Sequence, residues 1–196
     1  MRNIKIIDFT KDSPEICKDL CNSLMEHQAM MGKKYKKILA SMNYDNRLAL
    51  TFEKNKEKLL LVAMDNDKPI GYIFSIVENI SEKSKEYKPP WTETMEKEDR
   101  EGEGFYSKSM KVPMMIGDIN NLFLLPEYRG EKIAEKLMNQ SLDWINSYKD
   151  VEKIFVMVSN GNNVGTFYER FGFKFDHDVF GGFIKAYSMN SKDSLQ

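Results

Sequence analysis

The chain has 196 residues and 22.9 kDa, enough for one domain that buries roughly 70% of its unfolded surface. Its 41% apolar and 30% charged residues are those of an ordinary globular protein. Twenty-nine Lys+Arg against 30 Asp+Glu leave a net charge of -1, which excludes the positive excess of a general nucleic-acid binder.

Met1–Lys5 lack a long apolar run, and no apolar run reaches 18 residues, so the expectation is a cytoplasmic protein with no membrane span. Ile4 to Phe9 reads as a strand. Ser13-Pro14-Glu15 is a helix start, with a capping hydroxyl, proline in the first turn and an acid at the positive helix end. Ile16, Leu20, Leu24, Met30 and Met31 supply the apolar face. Cys17 and Cys21, four residues apart, are the chain's two cysteines. With His27 and His177 distant in sequence they read as small core residues rather than a redox or metal pair, and no metal is expected. Lys33 to Lys37 reads as a solvated helix face, with a phosphate or acidic contact as the alternative.

Leu59 to Met64 and Ile70 to Val77, joined by the turn Asp65–Pro69, predict a hairpin. From Ser81 to Lys111 the composition becomes highly charged, with Pro89-Pro90, Gly102 and Gly104 as breakers. Tyr87, Trp91, Phe105 and Tyr106 give this excursion a reason to fold partly against the body. Met114 to Leu125 is a strand interrupted at Gly117-Asp118. Glu131 to Tyr148 is an amphipathic helix. Val151 to Val158 is a strand, Val164 to Phe171 a short helix, and Phe173–Phe175 and Gly182–Met189 are final strands. The order β-α-β-β-β-α-β-α-β predicts an α/β chain with a mixed central sheet and helices on both faces.

Two segments carry chemistry. In Leu122-Phe123-Leu124-Leu125-Pro126-Glu127-Tyr128-Arg129-Gly130-Glu131-Lys132-Ile133-Ala134-Glu135 an apolar strand stops at proline, turns at Arg129-Gly130 and enters a long helix. Free N–H groups and a positive partial charge at such a junction suit an anion; the plain alternative is a strand-to-helix turn. In Asn160-Gly161-Asn162-Asn163-Val164-Gly165-Thr166-Phe167-Tyr168-Glu169-Arg170-Phe171-Gly172-Phe173 a polar turn leads into a short helix closed by glycine. Tyr168 is either a proton donor or a core tyrosine beside Phe167 and Phe171.

Together the segments resemble the GNAT superfamily of acetyl-CoA-dependent N-acetyltransferases. Arg129-Gly130-Glu131-Lys132-Ile133-Ala134 is similar to its acetyl-CoA signature, and Tyr168 with Gly172-Phe173 is similar to its second motif. Three departures stand out, one of them an Asn turn one residue longer than usual, with Gly161 at the expected position. Lys132 replaces the signature's usual first glycine, and Phe155 occupies the strand position where many relatives carry a general-base Glu.

The resemblance implies a single GNAT-like domain over residues 1–190, with splayed central strands, the excursion at about 81–111 and a short tail at 191–196. It implies direct transfer of acetyl from acetyl-CoA to a primary amine of a small molecule or peptide. Leu122, Phe123, Leu124, Arg129, Gly130, Glu131, Lys132, Ile133, Ala134 and Glu135 would hold the coenzyme, with Asn160 and Asn162 flanking the Asn-turn position at Gly161. Tyr168 would be the acid for the leaving thiolate. Asp118 is the first candidate base and Glu78 the second. The partners implied are acetyl-CoA and an amine, with no nucleic acid or membrane, and room is left for a homodimer. If the acidic run Glu93–Glu103 covers the acceptor site it favours a cationic amine; polyamines, aminoglycosides and lysine or N-terminal amines all fit. The competing reading is a GNAT-fold module that binds CoA, or works in interactions, without catalysis.

Overall fold

A computed structural model describes residues 2–191. The elements are β1 (Ile4–Asp8), α1 (Lys18–Met31), α2 (Lys36–Ala40), α3 (Leu50–Lys54), β2 (Lys58–Asp65), β3 (Lys68–Ile80), α4 (Glu82–Lys85), α5 (Lys97–Arg100), β4 (Met114–Leu124), α6 (Ile133–Asn146), β5 (Val151–Ser159), α7 (Gly165–Glu169), β6 (Lys174–Val179) and β7 (Ile184–Asn190). Seven strands form one sheet in the order β1-β2-β3-β4-β5-β7-β6. β4 and β5 pair in parallel and the other neighbours antiparallel, so the sheet is mixed as expected.

Alternation along β2 shows why the sheet is covered on both faces. Leu59, Leu61 and Ala63 join the core under α6, while Leu60, Val62 and Met64 join the core under α1 and α3. β3 divides likewise, with Ile73 and Val77 on the first face and Tyr72, Phe74 and Ile76 on the second. Cys17 and Cys21 are buried in the second core, and burial raises both thiol pKa values, Cys17 to about 12. Gly117 is required where α6 crosses β4, since a Cβ there would stand 2.4 Å from Ile145 Cγ2.

The helix start at Ser13-Pro14 is present, but its first turn is a 3-10 turn over Pro14–Cys17 before α1. Lys33 to Lys37 does not continue that helix: Gly32 ends α1 and Tyr35 takes a left-handed conformation before α2. The sequence reading assigned no element to 38–58, where the chain makes a π-helical turn over Asp45–Ala49 that leads into α3.

The charged excursion folds against the body, as its aromatics required. Trp91 and Phe105 pack edge-on against Phe180, and Trp91 against Phe183. Phe180 N donates to Glu103 O, and His177 joins Gly104 O at 3.0 Å. Asp99 accepts from Lys34 Nζ at 2.7 Å and from the Tyr35 hydroxyl.

Candidate active site

β4 and β5 pair from Met115/Val151 to Ile119/Val156 and then part. The divergence has a local cause. Phe74 faces Asn121 and Ser75 faces Ile119, so Asn120 is an extra residue in β4. Such a bulge bends and twists its strand. β4 continues with β3 to Leu124, while β5 stays with β7 to Ser159. Beyond the break, Leu125 N donates back to Ile70 O at 2.9 Å. Alternation then turns the N–H and C=O groups of Leu122 and Leu124 toward the gap, where β5 no longer meets them.

A cleft of about 560 Å³ occupies this gap. Of the residues expected to hold a coenzyme, Leu122, Phe123, Leu124, Arg129, Gly130, Lys132, Ile133, Ala134, Glu135 and Asn162 line it. Two do not. The Glu131 side chain turns outward to pair with Arg2. The Asn160 amide is spent inside the protein: its Oδ1 accepts from Lys33 N and Lys34 N, and its Nδ2 donates to Lys34 O and Phe183 O. Asn160 is therefore a clasp between the loop after α1 and the start of β7.

α6 begins at Ile133, two residues later than its apolar pattern suggested, because Lys132 caps it at φ 59, in the left-handed region. This accounts for a glycine being usual there. Gly130 also has positive φ, at 86°, and a Cβ on it would meet nothing within 4 Å. Among the described residues, the N–H groups of 130–135 have no hydrogen-bond acceptor, so they present a positive, unsatisfied cluster to the cleft mouth. Arg129 and Lys132 add charge.

Tyr168 sits on α7, buried among Phe167 and Phe173, and lines the same cleft. Its hydroxyl makes no hydrogen bond among the described residues. Burial, then the carboxylate of Asp118, raises its pKa well above 10, so the phenol is protonated at neutral pH.

A second cleft, of about 520 Å³, lies beneath the excursion. It shares Gln28, Asn120, Met157 and Ser159 with the first, so the two border one another at the bulge. Asp118 and Glu78 line it, on the sheet face that carries Ile76. Burial raises the Asp118 pKa from 3.8 to about 6, against lowering by an Asn120 hydrogen bond and the Arg47 charge. Glu78 is also raised, by burial and then by Asp118, while accepting from the Tyr106 hydroxyl at 3.3 Å. Tyr106 also packs edge-on against Phe155, the residue at the relatives' base position.

The acidic run does not face this cleft. Asp99 is held by Lys34, Glu101 pairs with Lys97, and Glu103 caps Lys108 N. Trp91, Phe105, Tyr106 and Tyr87 supply the wall instead, with Arg47 from the π-helical turn. Arg47 was missed in the sequence, because nothing in its neighbourhood carries a periodic signal.

The sequence profile of the Acetyltransferase (GNAT) domain matches residues 56–175, more than half of the chain. The chain belongs to the GNAT acetyltransferase family. No curated protein sequence matches it. Among solved structures, it is similar to a GNAT-family acetyltransferase from Staphylococcus aureus Mu50 (14% identity, 96% of this chain and 99% of that one, TM-score 0.59). It is similar to the PaiA N-acetyltransferase of Thermoplasma acidophilum in complex with coenzyme A (17%, 96% and 99%, TM-score 0.58). It is also similar to Arabidopsis thaliana NAA60 in complex with acetyl-CoA (13%, 96% and 98%, TM-score 0.55). At these identities the likeness is one of fold. The expected α/β architecture with splayed central strands is the observed one. Among the described residues no helix is long and apolar enough to cross a membrane.

Proposed function

We propose that this protein moves the acetyl group of acetyl-CoA directly to a primary amine. The observation that carries this is the meeting of two clefts at Asn120, Met157 and Ser159, with Tyr168 lining one and Asp118 the other. Relatives of this fold solved with coenzyme A or acetyl-CoA support the choice of coenzyme.

Acetyl-CoA, when bound, supplies an acetyl group activated as a thioester. The N–H groups of 130–135 and the Arg129 charge hold its diphosphate. The open edge at Leu122 and Leu124 offers N–H and C=O groups to an extended chain of amides, as a sheet edge does to an added strand. The Leu124 N–H donates to the thioester oxygen as charge builds there, a contribution of about 3 kcal/mol for such a donor.

An amine of pKa near 10 is only about 0.1% neutral at pH 7. Asp118, raised to about 6, is ionised at pH 7 and accepts the proton once the neutral amine nitrogen has bonded carbon and its N–H has become acidic. The neutral amine nitrogen bonds the acetyl carbon and the proton it then sheds passes to Asp118, the carbon–sulfur bond breaks as the sulfur takes the Tyr168 proton, and the Tyr168 phenolate recovers the proton from Asp118 through solvent on product release. Neither cysteine lines either cleft and burial keeps both protonated, so neither competes as an acetyl carrier. A free phenol and an unpartnered carboxylate oxygen at the junction favour catalysis over a binding-only module.

The test is thermal shift with acetyl-CoA, then thiol release with a panel of amines. At 100 times Kd the coenzyme adds about 2.7 kcal/mol of stability. The expected result is a melting temperature that rises with acetyl-CoA and thiol release that requires an amine. No shift at millimolar acetyl-CoA contradicts the reading.

A further inference from the structure

The acceptor cleft carries charge of both signs. Glu78 and Asp118 line it, and so do Arg47 and Lys83. The two acids lie on neighbouring strands near the border with the coenzyme cleft, and one oxygen of Asp118 is buried with no hydrogen-bond partner among the described residues. Arg47 reaches the cleft from the opposite wall, the helical layer on that face of the sheet. It is half-buried, and among the described residues its guanidinium has no hydrogen bond, ion pair or ring contact. Asp118 feels its charge, but the two are not within ion-pair distance. A guanidinium matches a carboxylate with two parallel hydrogen bonds, so a free one in a cleft wall suits that group.

Its backbone setting is also unusual. Arg47 stands in the π-helical turn Asp45–Ala49, the one such turn among the described residues. π-Turns are rare and cluster at functional sites, where they redirect side chains. Leu39, Ile80, Trp91, Phe105 and Phe183 form an apolar and aromatic part of the remaining wall, beside polar Thr51, Asn55 and Ser84.

We propose that the acceptor is a free amino acid with an apolar or aromatic side chain, its carboxylate held by Arg47 and its amine delivered to Asp118. This rests on the acetyltransferase reading above. Two cations against two carboxylates give no net attraction for a polycation, and burial opposes full ionisation of Glu78 beside Asp118. A polyamine or an aminoglycoside also presents several charges to the apolar wall and leaves Arg47 unmatched. A zwitterion meets both signs at once, and its side chain covers the aromatic wall.

The experiment compares matched acceptors in the thiol-release assay at saturating acetyl-CoA: L-phenylalanine, L-leucine, their amides, 2-phenylethylamine and spermidine. The wild type is expected to favour the amino acids over the amides and the decarboxylated amine by at least tenfold in kcat/KM. Arg47→Gln should remove that preference through KM, and Arg47→Lys should restore part of it. Acetyl-CoA binding by each variant, measured alongside, reports that the fold is intact. Equal kcat/KM for phenylalanine and 2-phenylethylamine in the wild type overturns the proposal while leaving the acetyltransferase reading intact. So does an equal loss on both in Arg47→Gln, which would make Arg47 a tuning charge for Asp118. Spermidine as the best acceptor also overturns it. A chain that binds no acetyl-CoA overturns both readings.

Discussion

The side-chain amide of Asn120 donates to Asp118 Oδ2 at 3.0 Å, and Asp118 Oδ1 is left buried with no hydrogen-bond partner among the described residues. Asn120 is the extra residue of the β4 bulge, so one irregularity both parts β4 from β5 and holds the carboxylate that lines the second cleft. A carboxylate held by one oxygen and free at the other is arranged to accept a proton.

Asp118 should therefore govern the pH dependence of both rate and stability. kcat/KM is expected to rise with pH through a limb near 6 as Asp118 ionises. Asp118→Asn should abolish the limb and lower the rate by about 10²–10⁴. Stability moves the other way. Between pH 3.8 and about 6 the folded protein keeps a proton that the unfolded chain gives up, so stability falls across that window. The full penalty is on the order of 3 kcal/mol above pH 6. Denaturant unfolding of both proteins at pH 4 and pH 7.5 checks this: the Asn variant should gain on the parent by about that amount. A constant difference contradicts it.

Lys132→Gly should stabilise the protein. A side chain at φ 59 costs about 1–2 kcal/mol, and glycine returns about 0.5–1 kcal/mol of that through the freedom of its unfolded chain. The expected net gain is about 0.5–1 kcal/mol by denaturant unfolding, with acetyl-CoA affinity within a few-fold. A large loss of affinity would show that the Lys132 ammonium, rather than the backbone, grips the diphosphate.

Gly130→Val should act in the opposite sense on binding. Its φ of 86° is strained for a β-branched residue, and the turn that aims the N–H groups of 130–135 would have to shift. Calorimetric titration should show acetyl-CoA affinity reduced at least tenfold, about 1.4 kcal/mol. Unchanged affinity in a folded variant would move the diphosphate elsewhere.

Asn160→Ala separates a structural asparagine from a coenzyme contact. The variant loses the bonds to Lys33 N, Lys34 N, Lys34 O and Phe183 O, which are 2.6–3.1 Å long. A loss of about 2 kcal/mol is expected, with acetyl-CoA affinity within a few-fold. A stable variant with weakened coenzyme binding would reverse the assignment.

Local chemistry made much of this site readable in the sequence. Pro126, Gly130 and Gly172 punctuate the chain wherever it is read, and the strand–turn–helix order around Arg129 needs no tertiary knowledge. Asp118 stood out as a charge inside an apolar strand. The lysine at φ 59 was hidden, because helix periodicity continues to Glu131 while the backbone cap falls at Lys132. Asn160 was misplaced because its partners, Lys33, Lys34 and Phe183, are brought to it only by folding. Sequence leaves open whether the acidic run covers the acceptor site or is a solvated loop, because the partners of Asp99, Glu101 and Glu103 come only with folding. Arg47 gave no signal at all, since a π-turn has no sequence period of its own.

The central claim is that the junction of the two clefts performs acetyl transfer with Tyr168 as the acid, and Tyr168→Phe tests it most directly. The change removes one oxygen from a ring packed on Phe167 and Phe173, and that oxygen has no hydrogen bond among the described residues, so fold and melting temperature should hold. Acetyl-CoA affinity should stay within a few-fold, because the phenol acts mainly when the sulfur gains charge. Single-turnover thiol release with coenzyme and amine both saturating should fall by about 10²–10⁴, with kcat and kcat/KM falling together. A stable, coenzyme-binding Phe variant that releases thiol at the parent rate, with chemistry rate-limiting, would contradict the account.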